Sequence, residues 1–361
     1  MKRLTFAGIE QKTHPLYQEH LQGVFDYREK IDDRDEKIVH ELLQAYGEYA
    51  YKTNCASGEW SWIQENKQQN YKRLLADGNK EELVPLFRNL FRNEISFGIS
   101  APDIEDEQYK ERLVNDILLD IDTWREFCGD LPVSELEIPN IGNPFGLIMD
   151  GSLVMYNSCR HSYHARMIHK LIKDEIRPTI FEIGGGYGGV FFFLNKILDN
   201  CCYIVCDLME TLFINYYFTS KWASILGKEI KIKWALDGKI TSEDQKEYQL
   251  ILVPSTSHSN IDLGFTIAYN SNSFSEMSRE DIWGYFDTIH KNHPKYIFHQ
   301  NSNFNLWENS SRGHKEVLAK EFPISEEYEL VYQAISPWTG AGGRYREYLY
   351  QKSTDFVKIL D

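Results

Sequence analysis

Apolar residues recur three and four positions apart through the first part of the chain, then gather into short unbroken runs. Ile38, Leu42, Leu43, Tyr46 and Tyr49 share one helical face. Leu83, Leu86, Phe87, Leu90 and Phe91 share another, and Leu113, Ile117, Ile121 and Trp124 a third, so this pattern predicts helices. The stretches SGEWSW and SFGISAPDIED between them read as loops. At about position 140 the texture changes. IGNPFGLIMDG, rich in Gly, Pro and Asn, reads as a connector. The expected division is a helical N-terminal domain over 1–140 and a second domain over 141–361.

Beyond the connector, Tyr163, Met167, Ile168, Leu171 and Ile172 form one helical face that ends before Pro178. Thr179–Ile183 reads as a strand that feeds a glycine cluster and the helix GGVFFFLNKIL. Cys202–Cys206 is a second strand, followed by a helix over Met209–Leu226 that stops at Gly227. Ile230, Ile232 and Trp234 alternate with lysines, as in a strand buried on one face. Gln249–Val253, Phe265–Tyr269 and Tyr296–His299 are further strands, with a helix opened by a Ser278–Asp281 capping box before the last. Leu330–Ile335 and Tyr345–Tyr350 close the chain as a strand pair around a glycine-rich turn. Strands that alternate with helices predict a mostly parallel sheet wound on both faces, because parallel neighbours need a crossover. The terminal pair predicts an antiparallel edge.

Composition narrows the partners. The 361 residues carry Lys+Arg 39 against Asp+Glu 54, a net charge of -15. Such a surface repels a phosphate backbone, and no basic run offsets it, so nucleic acid is not expected. No stretch reaches the ~18 apolar residues of a spanning helix, and the first residues lack the apolar core of a leader. The six cysteines form no CxxC pair, and no zinc site is expected. Cys201, Cys202 and Cys206 read as buried thiols of a reducing interior. A cytoplasmic protein with a small-molecule partner is the expectation.

Phe181-Glu182-Ile183-Gly184-Gly185-Gly186-Tyr187-Gly188-Gly189 lies where a buried strand ends and a helix begins. Ligands of doubly wound sheets bind there, and glycines let the backbone turn tightly and approach closely. Gly184, Gly186 and Gly189 also satisfy G-x-G-x-x-G, so a dinucleotide competes. Glu182 tilts the choice. A carboxylate beside a pyrophosphate is costly, whereas S-adenosylmethionine carries a sulfonium and an ammonium. Asp207, 25 residues after Glu182, ends the second strand where it can accept ribose hydroxyls or cap the next helix. The expected cofactor residues are Glu182, Gly184, Gly185, Gly186, Tyr187, Gly188, Asp207 and Leu208, with Arg160 and Tyr163 near the methionine end.

FEIGGGYGG, VCDLMETL, NSNSFSEM and RHSYHARMI together resemble the sugar O-methyltransferases, a class I S-adenosylmethionine-dependent family. The resemblance covers roughly residues 140–361. It implies a Rossmann-like class I methyltransferase sheet with an antiparallel terminal strand. It also implies methyl transfer to a hydroxyl of a sugar, nucleotide-linked or glycan-bound, as in polysaccharide biosynthesis. The alternatives are an NAD-dependent sugar oxidoreductase, a non-catalytic cofactor-binding subunit, or transfer to a peptide or other small metabolite.

A sugar hydroxyl is a poor nucleophile, so a general base should help. Glu276 and His299 are the first candidates, then His258 and His164. Asn270, Asn272 and Ser273 suit sugar hydroxyls, and Arg344, with Arg346, could anchor an anionic group. The chain has Asn270 and Asn301 where a metal-dependent route would want aspartates, so no metal is expected. The N-terminal helices would cap the site or join copies of the chain.

Overall fold

The computed structural model describes residues 20–49, 56–100, 106–304, 317–338 and 344–353. The N-terminal part contains β1 (Leu21–Phe25), α1 (Asp33–Tyr49), α2 (Gly58–Asn66), α3 (Gln69–Ala76), α4 (Lys80–Arg88) and α5 (Glu107–Cys128). The hairpin β2 (Gly146–Met149) and β3 (Ser152–Met155) follows, then α6 (Ser158–Ile172). Two expectations are corrected here. SGEWSW is no loop: α2 starts within it, after the N-cap position Ser57. The supposed connector contains β2, which pairs antiparallel with both β3 and β1 in a three-stranded sheet. Asp150 and Gly151 turn that hairpin with φ of 49° and 83°, the positive pair that a tight hairpin turn requires.

The second part alternates as the runs predict. It comprises β4 (Thr179–Ile183), α7 (Gly189–Asn195), β5 (Cys202–Asp207), α8 (Met209–Ile225) and β6 (Ile232–Trp234). The series continues with α9 (Ser242–Glu247), β7 (Leu250–Pro254), β8 (Ile267–Ser271), α10 (Arg279–Lys291), β9 (Tyr296–Ser302), β10 (Tyr328–Ile335) and β11 (Tyr345–Lys352). The eight strands order as β10-β11-β9-β8-β4-β5-β7-β6. Neighbours from β9 through β6 pair parallel, whereas β11 pairs antiparallel with β9 and β10. This is the mixed α/β sheet expected, mostly parallel with an antiparallel end. The turn between β10 and β11 falls at 339–343, outside the described residues.

Strand residues alternate between two cores. Ile180, Tyr203, Val205, Leu252 and Tyr269 face α6, α7 and α8, where Val39, Leu42, Phe87 and Phe91 of the N-terminal helices join the same cluster. Phe181, Ile183, Ile204, Val253 and Ala268 face Ile282, Phe286 and Ile289 of α10. Glu182 therefore belongs to the first face. Cys201, Cys202 and Cys206 are buried free thiols, as read; Cys55 lies outside the described residues. The chain leaves β4 toward β5 on one side and reaches β8 on the other, so a crevice opens at the carboxyl ends of β4 and β8. No helix among the described residues is long and apolar enough to cross a membrane.

Candidate active site

A cavity of about 370 Å³ opens at that crevice. The bend after β4 forms its floor. Gly184, Gly186 and Gly188 have φ of 71°, 55° and 86°, values that favour glycine. A Cβ on Gly184 would collide with Ser273 Oγ, and one on Gly185 would lie 2.8 Å from Glu182 Oε2. Side-chain-free backbone is thus needed to pass between β4 and the segment after β8. Gly184, Gly185, Gly186 and Tyr187 line the cavity; Gly188 turns the chain beneath them and does not.

Two carboxylates flank the bend. Asp207 Oδ2 accepts from the Gly186 amide at 3.0 Å and Oδ1 from the Leu208 amide at 2.7 Å. Burial pushes its carboxyl up to about 7. Glu182 is 3% exposed, and its buried Oε2 has no hydrogen-bond partner. Burial raises it to about 8, against the nearby Tyr203 hydroxyl, which favours the ionised form, and with a smaller contribution from the Asp207 carboxylate. A buried acceptor that lacks a well-formed hydrogen bond is costly, and Glu182 lines the cavity. That geometry asks for a ligand bearing N–H groups or positive charge.

The opposite wall comes from the segment after β8. Asn270 is buried and lies just below the cavity; its Nδ2 donates to Ile183 O at 2.8 Å and to Ser273 Oγ at 2.6 Å. It therefore braces the wall and does not line it. Asn272 and Ser273 do line it, and Asn272 Oδ1 is buried without a partner. Glu276 lines the cavity too. Its Oε2 accepts from Trp60 Nε1 at 3.0 Å, and burial raises its carboxyl to about 7. Ser57, Trp60, Gly98 and Ile99 of the N-terminal part complete this side. Sequence reasoning missed them, because nothing along the chain links residue 60 to residue 276.

Arg160 and His161, at the start of α6, also face the cavity. His161 Nδ1 lies 3.0 Å from the Tyr187 hydroxyl, and a Cβ on Gly189 would collide with its ring. The imidazole thus covers the start of α7. His258 lines the far end; its ring stacks on Tyr285 at 4.2 Å and its Nδ1 pairs with Thr288 Oγ1 at 2.8 Å. Among the lining residues, Arg160 is the only Lys or Arg, against the carboxylates Glu182, Asp207, Glu276 and Asp281. A pyrophosphate would be badly placed here.

Four further sequence candidates are absent from the cavity lining. His299 is 1% exposed with both ring nitrogens unpartnered, packed against Phe322, Tyr348 and Tyr350. β9 runs on to Ser302, so His299 sits well below the strand's carboxyl end and not at it. Tyr163 points away as well: its hydroxyl donates to the buried Glu347 at 2.9 Å. His164 shares a 2.7 Å hydrogen bond with the Tyr269 hydroxyl in the same buried group. Arg344 donates from Nε to Ser302 Oγ at 2.9 Å and is absent from the lining. No group of three His, Cys, Asp or Glu among the described residues could hold a metal.

No protein-family model matches the chain, and no curated protein does. Among solved structures it is similar to the mitomycin 7-O-methyltransferase MmcR, at 9% identity and a TM-score of 0.36, covering 54% of this chain and 55% of that one. It is similar to the small RNA methyltransferase HEN1 at 11% identity and 0.38, covering 58% and 28%. The glycopeptide N-methyltransferase MtfA, complexed with S-adenosyl-L-methionine, shows 11% identity and 0.35, with 53% and 86% covered. The chain thus spans about half of MmcR and under a third of HEN1. Strand order and register, described above, define the fold independently of these likenesses.

Proposed function

We propose that the chain is an S-adenosylmethionine-dependent methyltransferase acting on a hydroxyl of a sugar. The observation that carries the cofactor is the partnerless Oε2 of Glu182 beside the glycine bend. Glu182 would hold the cationic methionine end, Gly184, Gly185 and Gly186 would let it approach the backbone, and Asp207 would accept from the ribose hydroxyls. Leu208 would pack on the base, and Arg160 would face the methionine carboxylate. Bound there, the cofactor supplies an electrophilic methyl group on a positively charged sulfur.

The acceptor side is read from Glu276, Asn272 and Ser273. Asn272 Oδ1, buried without a partner, suits a hydroxyl donor. Glu276 would take the proton of the attacking hydroxyl; a carboxyl raised to about 7 suits that task near neutral pH. His258 lies in the cavity as a second basic group, and burial lowers its basicity. His299 is withdrawn as a base. The sugar itself comes from the sequence resemblance.

Calorimetry with S-adenosylmethionine, S-adenosylhomocysteine and NAD tests the cofactor. The first two should bind, NAD should not, and Asp207→Ala should remove binding. Tight NAD binding would overturn the reading. Methyl transfer to a panel of free, glycan and nucleotide-linked sugars tests the acceptor, and Glu276→Gln should lower turnover at least ~100-fold without weakening the cofactor.

A further inference from the structure

The N-terminal helix α2 reaches the segment after β8 at two points. Trp60 donates to Glu276 across the cavity edge. One turn earlier, Ser57 Oγ accepts from the Ser278 amide at 3.1 Å and donates to the Asp281 carboxylate. In a complete capping box that carboxylate, at the third helical position of α10, would take the Ser278 amide. Here Ser57 takes it instead. Both contacts fall on the few residues that carry Glu276 into α10.

The Trp60 ring has a shaped seat on its other side. Gly98, with φ of 85°, presents no side chain to it, and a Cβ there would sit 3.2 Å from Trp60 Cη2 and 3.1 Å from Ile63 Cδ1. The indole is therefore held between a glycine backbone and a carboxylate. Among the described residues the indole N–H is the only hydrogen-bond donor on Glu276, leaving one oxygen for a substrate proton.

We propose that Trp60 is a positioning residue for Glu276, so that α2 completes the acceptor half of the site by aiming one carboxylate oxygen and tuning its basicity. This rests on Glu276 being the base. The other charged groups near Glu276 are Arg344 at the start of β11, Arg160 on α6 and Asp207 at the end of β5, with the Tyr345 hydroxyl nearby. The two arginines favour the carboxylate and Asp207 disfavours it. An indole N–H donor also favours the ionised form, so removing it should raise the carboxyl pKa.

The test is Trp60→Phe, which keeps a ring in the seat and deletes the N–H. In the full chain, the acidic limb of the kcat/KM–pH profile should move to higher pH by roughly one unit. S-adenosylhomocysteine affinity should stay within about twofold. An unmoved limb, with cofactor affinity intact, overturns the inference while leaving Glu276 as the base. Full activity of Glu276→Gln would instead overturn the underlying reading. Should Trp60→Phe fail to bind the cofactor, the wild-type chain with 15N-labelled tryptophan supplies the answer. The Trp60 indole resonance should titrate with the acidic limb and stop doing so in Glu276→Gln; a resonance that ignores pH in both chains also refutes the coupling.

Discussion

Glu182 is a carboxyl at the end of a buried strand, and its surroundings decide its charge. Burial raises it to about 8, with Asp207 at about 7 beside the same bend. Both values stand above those of an unfolded chain, so the folded protein binds more protons between about pH 4 and 8. These two groups therefore stabilise the ligand-free fold most at low pH and progressively less as pH rises to 8. A sulfonium placed beside Glu182 reverses the preference, because it favours the ionised carboxyl. Binding should then release a proton below pH 8. The affinity ratio of S-adenosylmethionine over S-adenosylhomocysteine, measured by calorimetry from pH 6 to 8, should rise, approaching ~10-fold per unit at the acid end. Glu182→Gln should flatten the trend. A ratio independent of pH in the wild-type chain would remove Glu182 from the sulfonium.

Elements were legible in the sequence where burial made them unambiguous. β4 is buried on both faces, so its apolar run marks it without alternation, and the predicted Thr179–Ile183 coincides with the observed strand. The same property hid the end of β9. Gln300, Asn301 and Ser302 are polar yet fully buried, because Gln300 Nε2 donates to Ser336 Oγ at 3.0 Å and Asn301 Nδ2 to Asn270 Oδ1 at 2.8 Å. A polar stretch that finds partners across strands reads as a loop, which put His299 falsely at the strand's tip. The β2–β3 hairpin, by contrast, was readable: Asp150-Gly151 between GLIM and SLVM is a strong hairpin signal. The register of β9 also makes a prediction. With its neutral ring packed among three aromatics and both nitrogens unpartnered, His299 should tolerate Phe. His299→Phe should leave kcat unchanged and hold or raise stability by up to ~1–2 kcal/mol, read from urea unfolding. A large loss of turnover would return His299 to the chemistry.

On the scale of the whole molecule, what the linear sequence could not show is how tightly the first hundred residues are bound to the sheet domain. The link is ionic as well as apolar. Lys221 of α8, with a side chain 2% exposed, meets Asp35 of α1 at 2.7 Å and Asp32 at 2.9 Å. The Tyr217 hydroxyl donates to Asp35 at 2.6 Å, and Arg88 of α4 lies 3.7 Å from the same carboxylate. Asp35 is fully buried, so its carboxylate oxygens are satisfied by these partners and not by water. Deleting one member of such a group leaves an uncompensated charge in the interior, at a cost of about 3–5 kcal/mol. Lys221→Met keeps the volume and apolar stem and deletes only the ammonium. If α1 and α8 belong to one cooperative unit, as their shared core implies, that cost should fall on the entire chain. Scanning calorimetry should show a single transition shifted down by several degrees, and S-adenosylhomocysteine should shift it back up, because the cavity proposed to hold it takes walls from both parts. Two separated transitions, with the upper one unmoved by the substitution, would instead make residues 1–140 an independent domain whose contribution of Trp60 to the cavity depends on docking.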